Sequence, residues 1–198
     1  MAQILITAVS IFLFLTGSAI IIIPGRRWMT GLLALQYVGV FLLVSISWPL
    51  EIAVVKLVAG WMSAAILFLA YGSSPPSAGR ERLTASIPGY YFMGFTALLI
   101  GLAMYSLLPI ALRWFLGASP LQVLGGLWLL GLGTLQLSFS RQDTRIIIGL
   151  LTVISGFEIL YATLEASVLM TGLLALLNIG LASVGAYLQM AVNLEEPL

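Results

Sequence analysis

Long apolar segments separated by short polar connections account for nearly the whole sequence. A hydrocarbon core about 30 Å thick requires about 20 residues of helix to cross it, and seven segments reach that length. Their hydrophobic residues run continuously, without the alternation that is typical of strands in a transmembrane barrel. The pattern therefore predicts an all-α polytopic membrane protein with about seven transmembrane helices. The predicted spans are 4–24, 28–48, 52–71, 89–112, 121–139, 146–164 and 167–190.

The composition supports this prediction and excludes several kinds of chemistry. Of the residues, 61% are hydrophobic and 8% are charged, whereas a soluble domain carries about 25% charged residues. Because the chain has no histidine and no cysteine, it offers no imidazole base, thiolate nucleophile, thiolate metal site or disulfide. A net charge of +1 gives no strong attraction for nucleic acid. We expect no cofactor and no enzymatic active site within this chain alone.

The whole chain, 1–198, is predicted to form a single membrane domain. The first three spans fall within 4–71 and the last four within 89–190. The connection 72–88 between them is rich in Gly, Pro and Ser, which predicts a flexible cytoplasmic loop. No clear internal repeat is present, so the inverted-repeat architecture of many transporters has little support.

The basic residues predict an orientation, because cytoplasmic loops of membrane proteins carry an excess of them. On one side of a seven-span arrangement fall Arg26, Arg27, Arg80, Arg82, Arg141 and Arg145. The opposite side carries Arg113, besides Lys56 just inside the third span. We therefore expect the N-terminus outside and the C-terminus in the cytoplasm, in the inner (cytoplasmic) membrane. Since the first charges follow the first span, a cleaved signal peptide is not expected.

Glu158 is the most informative polar residue, because it lies about 12 residues, or about 18 Å, into the sixth predicted span. An ionised carboxylate is costly in lipid, so this side chain must face protein or water, or carry a proton. One interpretation is a carboxylate on a proton path. The other is a structural acid held by a partner subunit or by a nearby hydroxyl group, such as Thr152 or Ser155.

Three further residues are candidates for the same region. Lys56 lies about one turn inside the third span, where its long stem can reach the interface; alternatively it supplies a cation near a proton path or pairs with an acid on another helix. Glu165 lies two helical turns after Glu158 and would extend a polar stripe outward if the helix continues that far. Asn178 is predicted to hold helices together, as buried amides in membrane bundles commonly do.

The segment 145–190, which begins RIIIGLLTVISGFEIL, resembles the small K-type membrane subunit of respiratory complex I. It is also similar to two relatives of that subunit, component E of hydrogenase-4 and the C subunit of Mrp cation/proton antiporters. The shared features are a basic connection, an Ile-Gly-Leu sequence, an intramembrane glutamate and a final helix containing Ile-Gly-Leu-Ala. About seven spans with a glutamate in the sixth look most like component E. The third span is similar to one in that family that carries a lysine.

This resemblance implies an accessory membrane subunit of a complex I-like, hydrogenase-like or Mrp-type assembly, which contributes to proton or cation translocation. Glu158 would be a protonatable station, and Lys56 would be its electrostatic partner. The partners would be antiporter-like membrane subunits and an iron–sulfur or hydrogenase arm, which would hold any redox cofactors. The K-type subunit has a second intramembrane glutamate where this chain has Leu176, so a relay of two carboxylates within this chain is not expected.

Two other functions remain open from the sequence. The chain could be a small-solute transporter that acts as a homo-oligomer, with Glu158 and Asn178 in its site. It could also be a structural scaffold subunit of a respiratory or photosynthetic membrane complex.

Overall fold

The computed structural model of the chain describes residues 2–23, 25–72, 87–139 and 143–195. These residues form seven α-helices, all long and apolar enough to cross a membrane, which confirms the predicted class and number of elements. Of the predicted loop 72–88, residues 73–86 with Arg80 and Arg82 lie outside the described residues, as does Arg141. The helices are α1 Ala2–Ile22, α2 Arg26–Val44, α3 Leu50–Gly72, α4 Ile87–Ala111, α5 Pro120–Phe139, α6 Asp143–Ala162 and α7 Val168–Glu195.

Some helix ends differ from the predicted span ends, because hydropathy marks the apolar part of a helix rather than its hydrogen-bonded length. Helix α2 ends at Val44, and residues 45–48 form a turn before Pro49, since the residue before a proline avoids the helical conformation. Helix α6 begins at Asp143, three residues before the predicted span at 146, and α7 continues through polar residues to Glu195.

The helices form two adjoining rings of four that share α2 and α6. In the first ring, α2 packs on α3, α3 on α7, α7 on α6, and α6 on α2. In the second ring, α1 and α5 replace α3 and α7, so that α1 packs on α2 and on α5, and α5 packs on α6. Helix α4 lies outside both rings, against α5 and α1. The centre of the second ring is apolar, with Leu13, Leu43, Leu129 and Ile159 fully buried there.

The tight contact between α5 and α6 is a direct approach of two backbones. A Cβ added at Gly156 would lie 2.7 Å from the carbonyl oxygen of Gly126, and one added at Gly133 would lie 3.0 Å from that of Gly149. Two glycine pairs, seven residues apart on each helix, therefore join α5 and α6 along two turns. The contact fixes which face of α6 turns toward the first ring.

We predict that Gly156→Ala destabilises the protein. Its methyl group would meet backbone atoms of Gly126 and Leu130, neither of which can move aside cheaply. Overpacking of this kind costs about 1–3 kcal/mol, and exceeds the gain of up to about 1 kcal/mol from replacing a helical glycine. Thermal unfolding in one detergent measures the difference.

The matched control is Gly180→Ala. Gly180 lies in α7 with no atom within 4 Å of an added Cβ, so this variant should unfold at or above the wild-type temperature. Equal unfolding temperatures for the two variants would contradict the proposed backbone contact.

Candidate functional site

A buried ion pair lies inside the first ring of helices. Lys56 of α3 and Glu158 of α6 are 2% and 1% exposed, and the Lys56 ammonium nitrogen lies 2.6 Å from Glu158 Oε1. The two residues are separated by 102 positions in the sequence. Of the two arrangements open for Lys56, the structure shows pairing with an acid on another helix, not a stem that reaches the interface.

Asn178 completes the contact from α7. Its side-chain Nδ2 donates a hydrogen bond to Glu158 Oε1 over 3.0 Å, and the residue is fully buried. The amide therefore links α7 to α6. One carboxylate oxygen accepts from both Lys56 and Asn178, whereas Oε2 has no hydrogen-bond partner among the described residues.

The pair lies nearer to one end of the bundle than its place in the predicted span indicated. Lys56 is six residues from the start of α3 and Glu158 four residues from the end of α6, which corresponds to about 9 Å and about 6 Å along the two axes. The other end carries Arg26 and Arg145 at the starts of α2 and α6, and is here called the arginine end. The pair therefore lies on the side of the bundle opposite the arginine end.

Tyr37 of α2 belongs to the same group. Its ring lies against the backbone of Gly60, one helical turn after Lys56, and a Cβ at Gly60 would overlap the ring. Tyr37 is 2% exposed, its hydroxyl interacts electrostatically with Glu158, and it lies beside the hydroxyl of Ser155. It nevertheless makes no hydrogen bond of good geometry among the described residues. We call Lys56, Glu158, Asn178 and Tyr37 the polar cluster.

The hydroxyl groups near Glu158 on α6 do not hold its carboxylate. Ser155 donates to the carbonyl of Leu151 over 2.8 Å, and Thr152 donates to that of Ile148 over 2.9 Å. Gln36 of α2 reaches Thr152 through its Nε2 at 3.5 Å. The anchoring of Glu158 by a hydroxyl, one of the structural interpretations, is therefore not what the described residues show.

An apolar layer closes the polar cluster on the arginine side. It consists of Leu33, Leu67, Ile148 and Leu151, all fully buried. Beyond it, Tyr71 lies near Thr144 and Arg26 at the arginine end. This layer lies between the polar cluster and the polar side chains of the arginine end, and the Gln36–Thr152 contact lies beside it between α2 and α6.

Glu165 is not part of the polar cluster. Helix α6 ends at Ala162, so the helical continuation on which its alignment with Glu158 depended is absent. Its side chain is exposed, and its backbone carbonyl accepts a hydrogen bond of 3.0 Å from Trp48 Nε1. Glu165 thus helps to close that end of the bundle through its backbone.

The sequence alone does not indicate that Tyr37 and Gly60 are parts of the site. The available signal was the depth of Tyr37, because tyrosine in a membrane helix is usually found at the interface and this one lies near the middle of α2. Nothing in the sequence alone connects it with a glycine on the next helix.

The chemistry available to the cluster is the movement of a proton. Burial penalises both charges, so an ion pair here is maintained only by close contact and by the hydrogen bond from Asn178. Transfer of one proton from the ammonium group to the carboxylate converts the pair into two neutral groups without moving either helix. Among the described residues, no group of three or more acidic side chains could hold a metal ion.

Comparison with known proteins adds no assignment: no protein-family profile, curated protein or solved structure matches the chain. The geometry of the polar cluster therefore carries the functional inference.

We predict that Lys56→Met destabilises the protein by about 3–5 kcal/mol, because it leaves the Glu158 carboxylate buried without its counter-charge. Replacing both members, as Lys56→Met with Glu158→Met, should recover most of this loss, since no charge then remains in the site. The free energy of unfolding of the two single variants and the double variant measures their coupling.

Glu51→Gln serves as the control, because Glu51 is an exposed acid in the first turn of α3. It should change the free energy of unfolding by less than about 0.5 kcal/mol. Additive losses from the two single substitutions would show that the pair contributes no interaction of its own.

Proposed function

We propose that the chain is an accessory subunit of a multisubunit complex I-like, membrane-bound hydrogenase-like or Mrp-type assembly, in which Glu158 and Lys56 form a station for proton or cation translocation. The observation that carries this proposal is the buried ion pair with its 2.6 Å separation. Ionisable residues inside membrane bundles are expensive to bury and commonly mark ion pathways.

The structure of the cluster supports an exchangeable proton rather than a permanent structural charge. Only one oxygen of Glu158 is engaged, by two donors, and Oε2 is without a partner among the described residues. A carboxylate that merely anchors helices gains most when both oxygens accept hydrogen bonds. The free oxygen provides a place where a proton can be accepted and released.

The position of the cluster supports a role within a larger assembly. One ion pair close to one end of the bundle cannot carry a proton across about 30 Å of hydrocarbon. The apolar layer separates it from the arginine end. The remaining stations would come from neighbouring antiporter-like membrane subunits, and redox cofactors would be held by an iron–sulfur or hydrogenase arm.

We further propose that the chain lies in the cytoplasmic membrane with its N-terminus outside and the arginine end inside. Arg145 donates hydrogen bonds to the carbonyls of Ile21 and Ile23, over 3.1 and 3.4 Å. These contacts bring the start of α6 to the connection between α1 and α2, so the basic residues of both regions share one end. A cluster of arginines at one end is typical of the cytoplasmic side.

A second candidate is a small-solute transporter that acts as a homo-oligomer. In its favour, Glu158 and Asn178 do share one site. Against it, a cavity of about 300 Å³ beside this region, between α3 and α7, has an apolar lining that includes Val58, Met62 and Ile179. Such a cavity offers no polar contacts for a hydrophilic solute. A purely structural scaffold is the third candidate.

The test is extraction in mild detergent, followed by native mass determination and identification of every chain that migrates with this one. We expect large antiporter-like membrane subunits. In the intact assembly, Glu158→Gln should then reduce proton-coupled turnover by about 100-fold or more, because the amide cannot exchange a proton.

Glu51→Gln is again the control and should retain full turnover, since this exposed acid lies outside the polar cluster. Recovery of a monomer or homodimer without other chains would overturn the assembly and favour the transporter. Normal turnover of Glu158→Gln within an intact assembly would overturn the proton role and favour the scaffold.

A further inference from the structure

Several buried polar atoms on the four helices of the first ring lack hydrogen-bond partners among the described residues. They include Glu158 Oε2, the Tyr37 hydroxyl, Asn178 Oδ1 and Gln36 Oε1. With Glu158 ionised, three of these four atoms can accept hydrogen bonds but cannot donate them. The fourth, the Tyr37 hydroxyl oxygen, can also donate one. Because buried polar groups are nearly always satisfied, an additional donor must reach this region.

The neighbouring side chains do not supply that donor. Lys56 and Asn178 both direct their hydrogen bonds to Glu158 Oε1. Ser155 and Thr152 donate to carbonyls of their own helix, so their oxygens can only accept further bonds. No donor from the described residues therefore lies within reach of Glu158 Oε2.

The place for the missing donor lies between Tyr37 and Glu158. The Tyr37 hydroxyl interacts electrostatically with the carboxylate, yet neither it nor Oε2 makes a hydrogen bond of good geometry among the described residues. A polar interaction across a gap of this kind is typical of two groups bridged by water. Ser155 lies beside the same hydroxyl and offers the bridging molecule another acceptor.

We propose that a water molecule bridges the Tyr37 hydroxyl and Glu158 Oε2, and that Tyr37 is the relay residue through which protons reach Glu158 from the α2 side. This proposal rests on the proposed proton station and adds the side of the bundle from which protons reach it. The water passes one proton to Oε2 and takes one from the Tyr37 hydroxyl. A second water on the α2 side returns a proton to the phenolate, so the tyrosine is unchanged after each transfer.

The surroundings restrict the relay to this route. The ionisable groups that face Glu158 are Lys56 from α3 and Tyr37 from α2. Helix α7 presents the neutral Asn178, and α5, on the other side of α6, carries no charged residue. Lys56 donates to Oε1, and Tyr37 is the other ionisable group that faces the carboxylate.

Gly60 explains how the tyrosine is held in this position. The absence of a side chain at Gly60 lets the ring lie flat against α3, one turn from Lys56. The ring packs on α3 at Gly60 and belongs to the same buried cluster as Ile148 and Leu151 of α6. Tyr37→Phe therefore removes the hydroxyl while the packing of the ring on Gly60 remains.

The experiment uses the fact that Lys56 is the only lysine in the sequence. In full-length protein labelled with ¹⁵N-lysine and reconstituted in phosphatidylcholine bilayers, one ammonium signal reports the exchange of its protons with D₂O. We expect Tyr37→Phe to slow this exchange about tenfold or more, because it removes the positioned proton donor of the relay. Its thermal unfolding temperature should stay close to that of the wild type.

Tyr161→Phe is the matched control. Tyr161 lies one turn after Glu158 on α6, but its ring packs against Trp48 and Phe157, so its exchange rate should equal that of the wild type. If Tyr37→Phe fails to fold, Ser155→Ala removes the neighbouring hydroxyl from the same route and should also slow the exchange.

The outcomes separate the relay from the proton station. If the Lys56 ammonium protons of Tyr37→Phe exchange at the same rate as those of the wild type, the relay is overturned and the proton station is unaffected. A wild-type ammonium signal that does not exchange at all would show that the cluster is sealed, and would overturn the proposed function together with the relay.

Discussion

The Lys56–Glu158 ion pair places two opposite charges inside an apolar bundle, and the arrangement of four helices depends on their compensation. Burying either charge without the other would strongly destabilise the fold. Side chains of α3 and α6 must therefore meet at this point. Asn178 ties α7 to the same carboxylate, and Tyr37 brings α2 to it. The interior of the first ring is therefore polar where that of the second is packed with leucine and isoleucine.

The glycine pairs of α5 and α6 make this arrangement possible. Contact of the two backbones at Gly126 and Gly156 leaves α6 no freedom to turn about its axis. Glu158, two residues after Gly156, is consequently directed away from α5 and into the first ring. Gly60 has a similar role on α3, where the absence of a side chain leaves room for the ring of Tyr37. Small residues thus determine where the ionisable groups meet.

The sequence predicted the helices well and the site in part, for physical reasons. Length and apolarity suffice to count spans, and the cost of burying a charge singled out Glu158 and Lys56 before their contact was known. Their pairing could not be derived, because nothing in one sequence states which helices are neighbours. Tyr37 was missed because its depth within the second span is unusual for a membrane tyrosine but does not show which group it faces. The expected alignment of Glu165 depended on a helix end that hydropathy does not locate.

The central claim is that Lys56 and Glu158 form one protonatable unit, and solid-state NMR in lipid bilayers tests it most directly. The single lysine gives one ¹⁵N signal, and its dipolar coupling to ¹³C-labelled glutamate carboxyl groups reports their separation. The account predicts a coupling that corresponds to direct contact, is lost in Glu158→Gln, and changes together with the ¹⁵N shift as pH is varied. An uncoupled lysine signal with the shift of a solvated ammonium group at every pH would contradict it.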